Sequence, residues 1–379
     1  MNSVKILHTA DCHLGSGRVS LSGSMRGGRE ELVGTFFKII SLCRENAADF
    51  LLIAGDLFDT PFADDGLVAD VCDGFSKIPG TQVIIAAGNH DCACPGSVYT
   101  RCSFPDNVTV FTSFAEYRDF PEKNVRIYGA GFTDKSEKIP LLNNFAVTDK
   151  NKINIGVLHG DLSGSPQASS YNPISTAQIA ASGLDYLALG HIHKRSPIEK
   201  YGSTYCSYCG CPDGRGFDEE GSRGVYIGSV GKNLCALDYY ELSSRIYAAE
   251  SIDVSDCASA VAAADKISGL LRGKYGNNCT KNLYRISMTG TVGSDAFLNT
   301  ERIRALLESC GIECSVTDRT EPDFKDIAGI ASEETLRGAF VKRMLQKIDD
   351  APSERREMLY SALLTGLKAF DGEVKLLDN

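Results

Sequence analysis

The chain has 379 residues, a formal net charge of −10, and apolar and charged fractions of 43% and 23%. This length allows one large core and a smaller one, and no apolar run or N-terminal pattern indicates a membrane span or secretion, so we expect a cytoplasmic protein with no membrane association. The acidic balance argues against a protein that holds nucleic acid by bulk electrostatics alone, but it does not exclude a nuclease with acidic metal ligands.

Short apolar runs alternate with helical patterns over the first ~245 residues, which predicts an α/β fold. Five runs predict buried strands, at residues 4–7, 50–54, 83–87, 153–158 and 186–189. Leu32, Phe36, Ile40 and Cys43 lie at helical spacing between the first two runs and predict an amphipathic helix. A second helix is expected after the 50–54 run, capped by Asp64 or Asp65.

Composition changes near residue 250, which separates a predicted domain at residues 1–250 from the rest. A helix at 255–271, strands at 283–288 and 312–316, and a helix capped by Thr300 predict a small α+β module at 251–320. Residues 321–379 are predicted to form a C-terminal helical segment with amphipathic helices at 332–348 and 353–370.

Each of the five apolar runs ends in side chains that are able to bind metal. In chain order, these are Asp11 and His13; Asp56 and Asp59; Asn89, His90 and Asp91; His159 and Asp161; and His191 and His193. Ligands of α/β sheets bind beyond the carboxyl ends of the strands, so we expect these clusters to converge on one edge of the sheet. Five of the six histidines lie in them, whereas His8 lies within the first run and is expected in the core.

The spacing and chemistry of these residues are typical of a metal site. Residues two apart in an extended segment point to the same side, so Asp11 and His13 are able to reach one ion together. Imidazole, carboxylate and amide groups favour manganese, iron or zinc over calcium or magnesium. Glycines next to the ligands are expected to allow tight turns and a close approach of the backbone to a phosphate.

The ordered motifs D-x-H, G-D-x-x-D, G-N-H-D, H-G and G-H-x-H resemble the calcineurin-like metallophosphoesterase superfamily. Residues 4–15, 52–59, 208–219 and 335–341 give a closer resemblance to its DNA-repair nuclease branch, of the SbcD and YhaO type. The resemblance implies an α/β fold, an α-β-β-α sandwich, with a smaller α+β C-terminal capping module and terminal helices.

The resemblance also implies a division of roles among the ligands. One ion would be held by Asp11, His13 and His193, the other by Asn89, His159 and His191, with Asp56 as the bridge. The cofactor would be two divalent metal ions, with Mn²⁺ preferred and Fe²⁺ or Zn²⁺ as alternatives. Two such ions activate a water and clamp the phosphate oxygens.

His90 is expected to act on the leaving group rather than to bind metal. It would protonate the leaving oxygen or stabilise charge on the scissile phosphate. Asp91 either accepts a hydrogen bond from His90 or caps a helix, and Asp59 is either an acid behind the ligands or a cap.

The implied function is a metal-dependent DNA exonuclease or endonuclease subunit in double-strand break repair. Its expected partners are DNA, an SbcC-like SMC-family ATPase and a second copy of the chain. Alternatives are a general metallophosphatase, a small-molecule phosphodiesterase on the same scaffold, or a non-catalytic scaffold subunit. The apolar stripes of the closing helices either dock the ATPase or pack against the chain itself.

Two further groups of residues leave alternatives open. Arg18, Arg26 and Arg29 flank a Gly/Ser-rich loop and either contact a nucleic-acid backbone or belong to a solvated loop, the interpretation we prefer. Most of the fourteen cysteines are expected to be buried thiols. The cluster Cys206, Cys209 and Cys211 lacks a second ligand pair at zinc-finger spacing, which disfavours zinc.

Overall fold

The computed structural model describes residues 3–18, 21, 28–145, 147–163, 169–293, 296–322 and 324–370. The chain divides into two compact units, Met1–Ile246 and Tyr247–Asn379. Arg26 and part of the Gly/Ser-rich loop around it lie outside the described residues.

The first unit contains short strands and helices in alternation. Its strands are β1 (Ser3–Thr9), β2 (Phe50–Ala54), β3 (Gln82–Ala86), β4 (Val108–Phe111), β5 (Glu116–Phe120), β6 (Val125–Gly129), β7 (Ile153–His159), β8 (Tyr186–Gly190), β9 (Glu199–Tyr201), β10 (Thr204–Tyr208), β11 (Gly224–Gly231) and β12 (Leu234–Glu241). Its helices are α1 (Arg29–Glu45), α2 (Asp65–Ser76), α3 (Val98–Arg101) and α4 (Thr176–Ser182), with 3₁₀ turns at Pro121–Lys123 and Leu141–Asn144.

These strands form two six-stranded sheets, in the orders β12-β11-β1-β2-β3-β4 and β5-β6-β7-β8-β10-β9. The strands β1 to β4 are parallel to one another, as are β6, β7, β8 and β10. The five strands predicted from the apolar runs are therefore confirmed, but they divide between two sheets. The expectation that their ends meet along one sheet edge is wrong.

Alternation along β2 shows how the two sheets pack. Phe50 and Leu52 lie in the apolar layer between the sheets, together with Ile155 and Tyr186 of the second sheet. Leu51 and Ile53 point the other way and pack under α1 and α2, because successive strand residues face opposite sides. A third layer lies under α4. The α-β-β-α sandwich is thereby confirmed.

The two helices that cover the first sheet follow from their sequences. In α1, Leu32, Phe36, Ile40 and Cys43 are all buried, as their spacing predicts. Helix α2 begins after Asp64, whose carboxylate accepts hydrogen bonds from the second and third residues that follow it. Both predicted helices are confirmed.

The second unit combines a small parallel sheet with helices. Its elements are β13 (Tyr247–Asp253), α5 (Ala260–Tyr275), a 3₁₀ turn (Gly276–Thr280), β14 (Leu283–Thr289), β15 (Thr291–Val292), α6 (Thr300–Ser309), β16 (Glu313–Asp318), β17 (Glu321–Pro322), α7 (Phe324–Ala331), α8 (Leu336–Asp349) and α9 (Ser353–Phe370). The sheet order is β13-β14-β16, and β15 pairs with β17. The sequence patterns missed β13 and α7, and the cap of α6 is Asn299 rather than Thr300.

The closing helices pack largely on one another. Phe340, Leu363 and Leu367 belong to one apolar cluster formed by α7, α8 and α9, whereas Leu336 is 78% exposed. None of the described helices is long and apolar enough to pass through a bilayer.

Candidate metal centre

The ends of strands from both sheets meet at one end of the sandwich. Backbone and side-chain hydrogen bonds tie them together: Asp11 N–H donates to Gly55 O at 3.0 Å, and His13 N–H donates to Asp56 O at 3.0 Å. Across the two sheets, His191 N–H donates to the Asp11 carboxylate at 3.0 Å. These contacts bring Asp11, His13, Asp56 and His191 into one region, and Asn89, His159 and His193 also lie there.

One group of donors, here named the first half-site, consists of Asp11, His13 and His193. The Nε2 atoms of His13 and His193 lie 3.2 Å apart and face each other. Donor atoms of all three side chains lie within 4.8 Å of one another. His13 and Asp11 are almost completely buried.

A second group, the second half-site, consists of Asn89, His159 and His191. His159 Nε2 lies 2.9 Å from Asn89 Oδ1, and His191 Nδ1 lies 3.2 Å from the same oxygen. The amide oxygen of Asn89 is thus the point on which the two imidazoles converge.

Asp56 lies between the two half-sites. Its Oδ2 atom is 3.8 Å from His13 Nε2 and 3.4 Å from His159 Nε2. Its Oδ1 atom accepts a hydrogen bond of 2.8 Å from the backbone N–H of His90. One carboxylate therefore faces both groups of donors and is held in place from behind.

Carboxylates support both imidazoles of the first half-site. Asp59 Oδ1 lies 3.0 Å from His13 Nδ1, and Glu219 Oε1 lies 2.5 Å from His193 Nδ1. A carboxylate accepts, so each Nδ1 carries the hydrogen and each Nε2 keeps its lone pair toward the site. Arg215 joins the two carboxylates, at 3.3 Å from Asp59 and 3.2 Å from Glu219.

The imidazoles of the second half-site have neutral supports. His159 Nδ1 donates to the backbone carbonyl of Ala54 at 2.9 Å. His191 lies against the ring of Tyr171, with the ring centroids 4.8 Å apart and the planes inclined by 37°. Tyr171 is 39% exposed, so part of its ring faces solvent beside the site.

The electrostatics of the site fit bound cations. Burial raises the pKa of the Asp11 carboxyl. Burial also acts to raise the pKa of Asp56, but the neighbouring histidines, His159 above all, lower it below its ordinary value. Burial acts to lower the pKa of His159, but the charge and hydrogen bond of Asp56, together with Asp11 and the carbonyl of Ala54, raise it to about 9. Buried carboxylates thus draw positive charge to the site, which divalent ions bound by these nitrogen and oxygen donors would supply.

Four of the predicted ligands have a backbone conformation that L-residues rarely adopt. The φ angles of Asp11, His13, Asp56 and His191 are 53°, 44°, 50° and 101°. Such residues cluster at functional sites, where the surrounding structure holds them against local preference. The extended geometry from which we expected Asp11 and His13 to act together is therefore replaced by a tight turn.

Two glycines make room for the ligands themselves. A Cβ atom added at Gly88 would overlap the Asp56 carboxylate, and one added at Gly55 would overlap the His159 ring. Their lack of a side chain serves close packing against ligand side chains. The expectation that these glycines let the backbone approach a phosphate stays a prediction.

Comparison with known proteins agrees with this geometry. Residues 4–195, just over half of the chain, match the family described as calcineurin-like phosphoesterase. This chain belongs to the calcineurin-like phosphoesterase family. The family's dimetal chemistry and the two half-sites agree with each other, and the identity of the metal is a separate question.

Curated relatives of this phosphoesterase fall between 24% and 28% identity. The uncharacterized metallophosphoesterase YhaO of Bacillus subtilis is 28% identical over 69% of this chain and 66% of its own length. The DNA double-strand break repair protein Mre11 of Methanopyrus kandleri is 24% identical over 59% of this chain and 53% of its own. A subunit of the nuclease SbcCD of Staphylococcus saprophyticus is 26% identical over 55% of this chain and 60% of its own. The chain therefore spans about half to two thirds of the length of these relatives.

His90 belongs to neither half-site as defined above, but a donor atom of its ring lies within 4.8 Å of donor atoms of His13 and Asp56. Its side chain is 46% exposed, and its ring centroid lies 4.6 Å from that of His13. Its Nδ1 atom is 3.4 Å from the backbone oxygen of Asp59. The imidazole thus stands at the open side of the site, next to the buried ligands.

Both expectations for Asp91 are wrong. Its buried carboxylate accepts hydrogen bonds from Gly88 N–H at 2.7 Å, Phe58 N–H at 3.1 Å and the Tyr99 hydroxyl at 2.6 Å. It therefore ties the loops after β2 and β3 together, and it neither orients His90 nor caps a helix. Asp59, by contrast, is the acid behind a ligand, as one of its two predicted roles requires.

The sequence missed Glu219 and Arg215 as residues of the site. They lie on a Gly-rich segment after β10 that shows neither strand nor helix periodicity, and Glu219 is 26 residues from His193. The one available signal was the resemblance of residues 208–219 to the nuclease branch, which assigned them no role.

Arg18 does not reach toward a nucleic acid. It is 3% exposed and forms ion pairs with Asp213 at 2.5 Å and Glu31 at 3.3 Å. Arg29 donates to the carbonyl of Gly15 at 2.9 Å. The preferred interpretation of a solvated loop is therefore wrong for Arg18, which is buried, whereas Arg29 is exposed.

The remaining polar candidates are His8 and the three clustered cysteines, of which Cys211 has its thiol within 4.8 Å of donor atoms of His193 and Glu219. His8 is fully buried, and its Nδ1 atom lies 2.8 Å from the Tyr186 hydroxyl, which confirms its expected place in the core. Cys206, Cys209 and Cys211 are buried free thiols. Across the described part of the chain, the three do not share one group of donors at metal-binding distances.

Proposed function

We propose that this phosphoesterase is a two-metal phosphodiester hydrolase that cleaves DNA. The observation that carries the proposal is the pair of facing half-sites with the Asp56 carboxylate between them. A single-ion site would not need donors on both sides of one carboxylate. Four imidazoles, two carboxylates and an amide oxygen favour manganese, with iron or zinc as alternatives.

In this proposal, Asp11, His13 and His193 hold one ion, Asn89, His159 and His191 hold the other, and Asp56 bridges them. When bound, the two ions supply a hydroxide at neutral pH and neutralise charge on the phosphate oxygens.

The chain's own side chains do the rest of the chemistry. His90, on the open side of the site, donates a proton to the leaving oxygen of the strand. Asp59 and Glu219 accept the Nδ1 hydrogens of His13 and His193 and so keep both Nε2 lone pairs directed at the metal position. Glu219 is buried, which excludes water that would otherwise compete for its hydrogen bond, whereas the Asp59 side chain is partly exposed.

Two observations support DNA as the substrate. Two of the relatives carry names that place them in DNA double-strand break repair and in a nuclease. In addition, Tyr171 offers an exposed ring face beside His191, and aromatic rings of this kind stack on unpaired bases. The expected SbcC-like ATPase partner, a homodimer and a cytoplasmic location belong to the same proposal.

The test is hydrolysis by the purified chain with Mn²⁺, Fe²⁺ or Zn²⁺. Substrates are end-labelled single-stranded and duplex DNA, bis-p-nitrophenyl phosphate and p-nitrophenyl phosphate, each with and without the candidate ATPase. We expect cleavage of DNA and of the diester, with the monoester the poorest substrate. Cleavage of the small esters without any cleavage of DNA would overturn the DNA assignment and favour a small-molecule phosphodiesterase or phosphatase.

A further inference from the structure

A polar pocket lies directly beside the first half-site and has no part in the proposed metal binding. Its volume is about 390 Å³, within the range of ligand pockets. Lys194 and Arg195, which line it, are the two residues that follow His193. The opposite wall includes Arg223, Phe217 and Tyr239.

Arg223 is a buried cation without a carboxylate partner. It is 8% exposed, and it donates to the backbone carbonyls of His193 and Glu220. Its Nε atom has no hydrogen-bond partner, and no carboxylate of the described residues lies within ion-pair distance of it. A buried charge is costly unless it is paired, so this guanidinium favours an anion in the pocket.

The other cations of the pocket are placed to contact such an anion. Lys194 is exposed and forms no ion pair with any side chain in the described ranges. The Arg195 guanidinium lies over the ring of Tyr239, 4.2 Å from its centroid, which holds it flat against the wall. Asp218 and Glu220 also line the pocket and are exposed, which leaves three cations against two carboxylates.

We propose that this pocket binds a phosphate group of the substrate strand, next to the phosphate that is cleaved. The inference rests on the proposed function and names how the strand is held. Continuity supports it, because Lys194 and Arg195 extend directly from a metal ligand and Arg223 is bonded to that ligand's carbonyl oxygen. Guanidinium and ammonium groups are the usual partners of nucleic-acid phosphates.

Binding in EDTA tests the pocket separately from catalysis. Fluorescence anisotropy with a labelled single-stranded oligonucleotide measures the affinity of the full chain, and no cleavage takes place. We expect Lys194→Ala to weaken binding about tenfold, the loss typical of one charge-assisted contact. The slope of log K against log salt should flatten by roughly 0.7, because one phosphate is no longer neutralised. Arg223 is left intact, since it also holds His193.

Lys200→Ala is the matched control, because Lys200 is an exposed lysine six positions away that does not line the pocket. It should stay within about twofold of the wild type. Equal effects of Lys194→Ala and Lys200→Ala would overturn the proposal. So would displacement of the oligonucleotide by inorganic phosphate as readily as by a dinucleotide, because the pocket would then take free phosphate.

A kinetic measurement separates this inference from the proposed function. With Mn²⁺, Lys194→Ala should raise KM for the oligonucleotide about tenfold. KM for bis-p-nitrophenyl phosphate, which has a single phosphate, should stay close to the wild-type value. If the wild type binds the oligonucleotide through Lys194 in EDTA but never cleaves it, the proposed function fails and the phosphate pocket stands.

Discussion

The two half-sites differ in the charge that surrounds them. In the first, Asp11 is a donor, and the carboxylates of Asp59 and Glu219 support the imidazoles. In the second, the oxygen donor is the neutral amide of Asn89, and His159 is supported by a backbone carbonyl. A cation in the first position therefore faces more negative charge, and we expect the two positions to fill in sequence, the first more tightly.

The largest effect is expected for Asp56→Asn, since this carboxylate faces both half-sites. The amide removes the shared charge, so both metal positions weaken and the difference between them shrinks. We expect kcat/KM on bis-p-nitrophenyl phosphate to fall roughly 10⁴-fold. Metal content after dialysis, measured by mass spectrometry, should fall below two ions per chain. Asp134→Asn, at an exposed site, is the control, and retention of two ions by Asp56→Asn would contradict the bridging role.

His90→Asn comes next and should spare the metals. Its imidazole lies beside His13 and is proposed to act on the leaving group, so we expect turnover to fall about 10²- to 10³-fold while both metal affinities stay within about twofold. The loss should be smaller for a substrate with a good leaving group such as nitrophenolate. Equal losses on DNA and on the nitrophenyl diester would argue that His90 does not protonate the leaving group.

Glu219→Gln tests the difference in charge between the two half-sites most directly. It replaces the charged partner of His193 by a neutral one, and supports of this kind are worth about 10- to 100-fold in metal affinity. Isothermal titration calorimetry should show that the tighter of two binding steps weakens and the weaker one stays. Glu122→Gln, at an exposed position, is the control. If the weaker step changes instead, the order of filling proposed above is reversed.

The smallest effect is expected for Tyr171→Leu, at the second half-site. Loss of the ring against His191 removes an aromatic contact of about 0.5–1.5 kcal/mol, which corresponds to a two- to tenfold weaker second metal step. Tyr171→Phe keeps the ring and should match the wild type in that step. Calorimetry that shows a change in the first step would contradict the separation of the half-sites.

The sequence predicted which polar side chains come together, because their signal is local. Each buried strand is an apolar run, and a polar cluster directly after it needs no knowledge of the tertiary fold. The same runs do not reveal that β7 and β8 belong to another sheet than β1, β2 and β3, since sheet membership depends on pairing between distant segments. The argument from single residues therefore found the side chains that come together, but it wrongly placed all of them along the edge of one sheet.

The supports of the ligands were harder to predict for the same reason. Asp91 follows Asn89 and His90 in sequence, which favoured a role beside them. Its buried carboxylate instead accepts hydrogen bonds from Gly88, Phe58 and Tyr99. Glu219 has no such local context, and only the folded chain brings it to His193. Arg18 similarly resembled a surface residue, although it pairs with Asp213 and Glu31 in the folded chain.

The positive φ angles of Asp11, His13, Asp56 and His191 affect which substitutions this protein tolerates during evolution. Each such residue costs about 1–3 kcal/mol that a glycine would largely avoid. Selection for heat resistance alone would thus favour glycine at four positions that the proposed metal binding requires. Thermal stability and catalysis are set against each other at these four residues, and bound metal is what reconciles them, because it stabilises only the folded chain that retains its ligands.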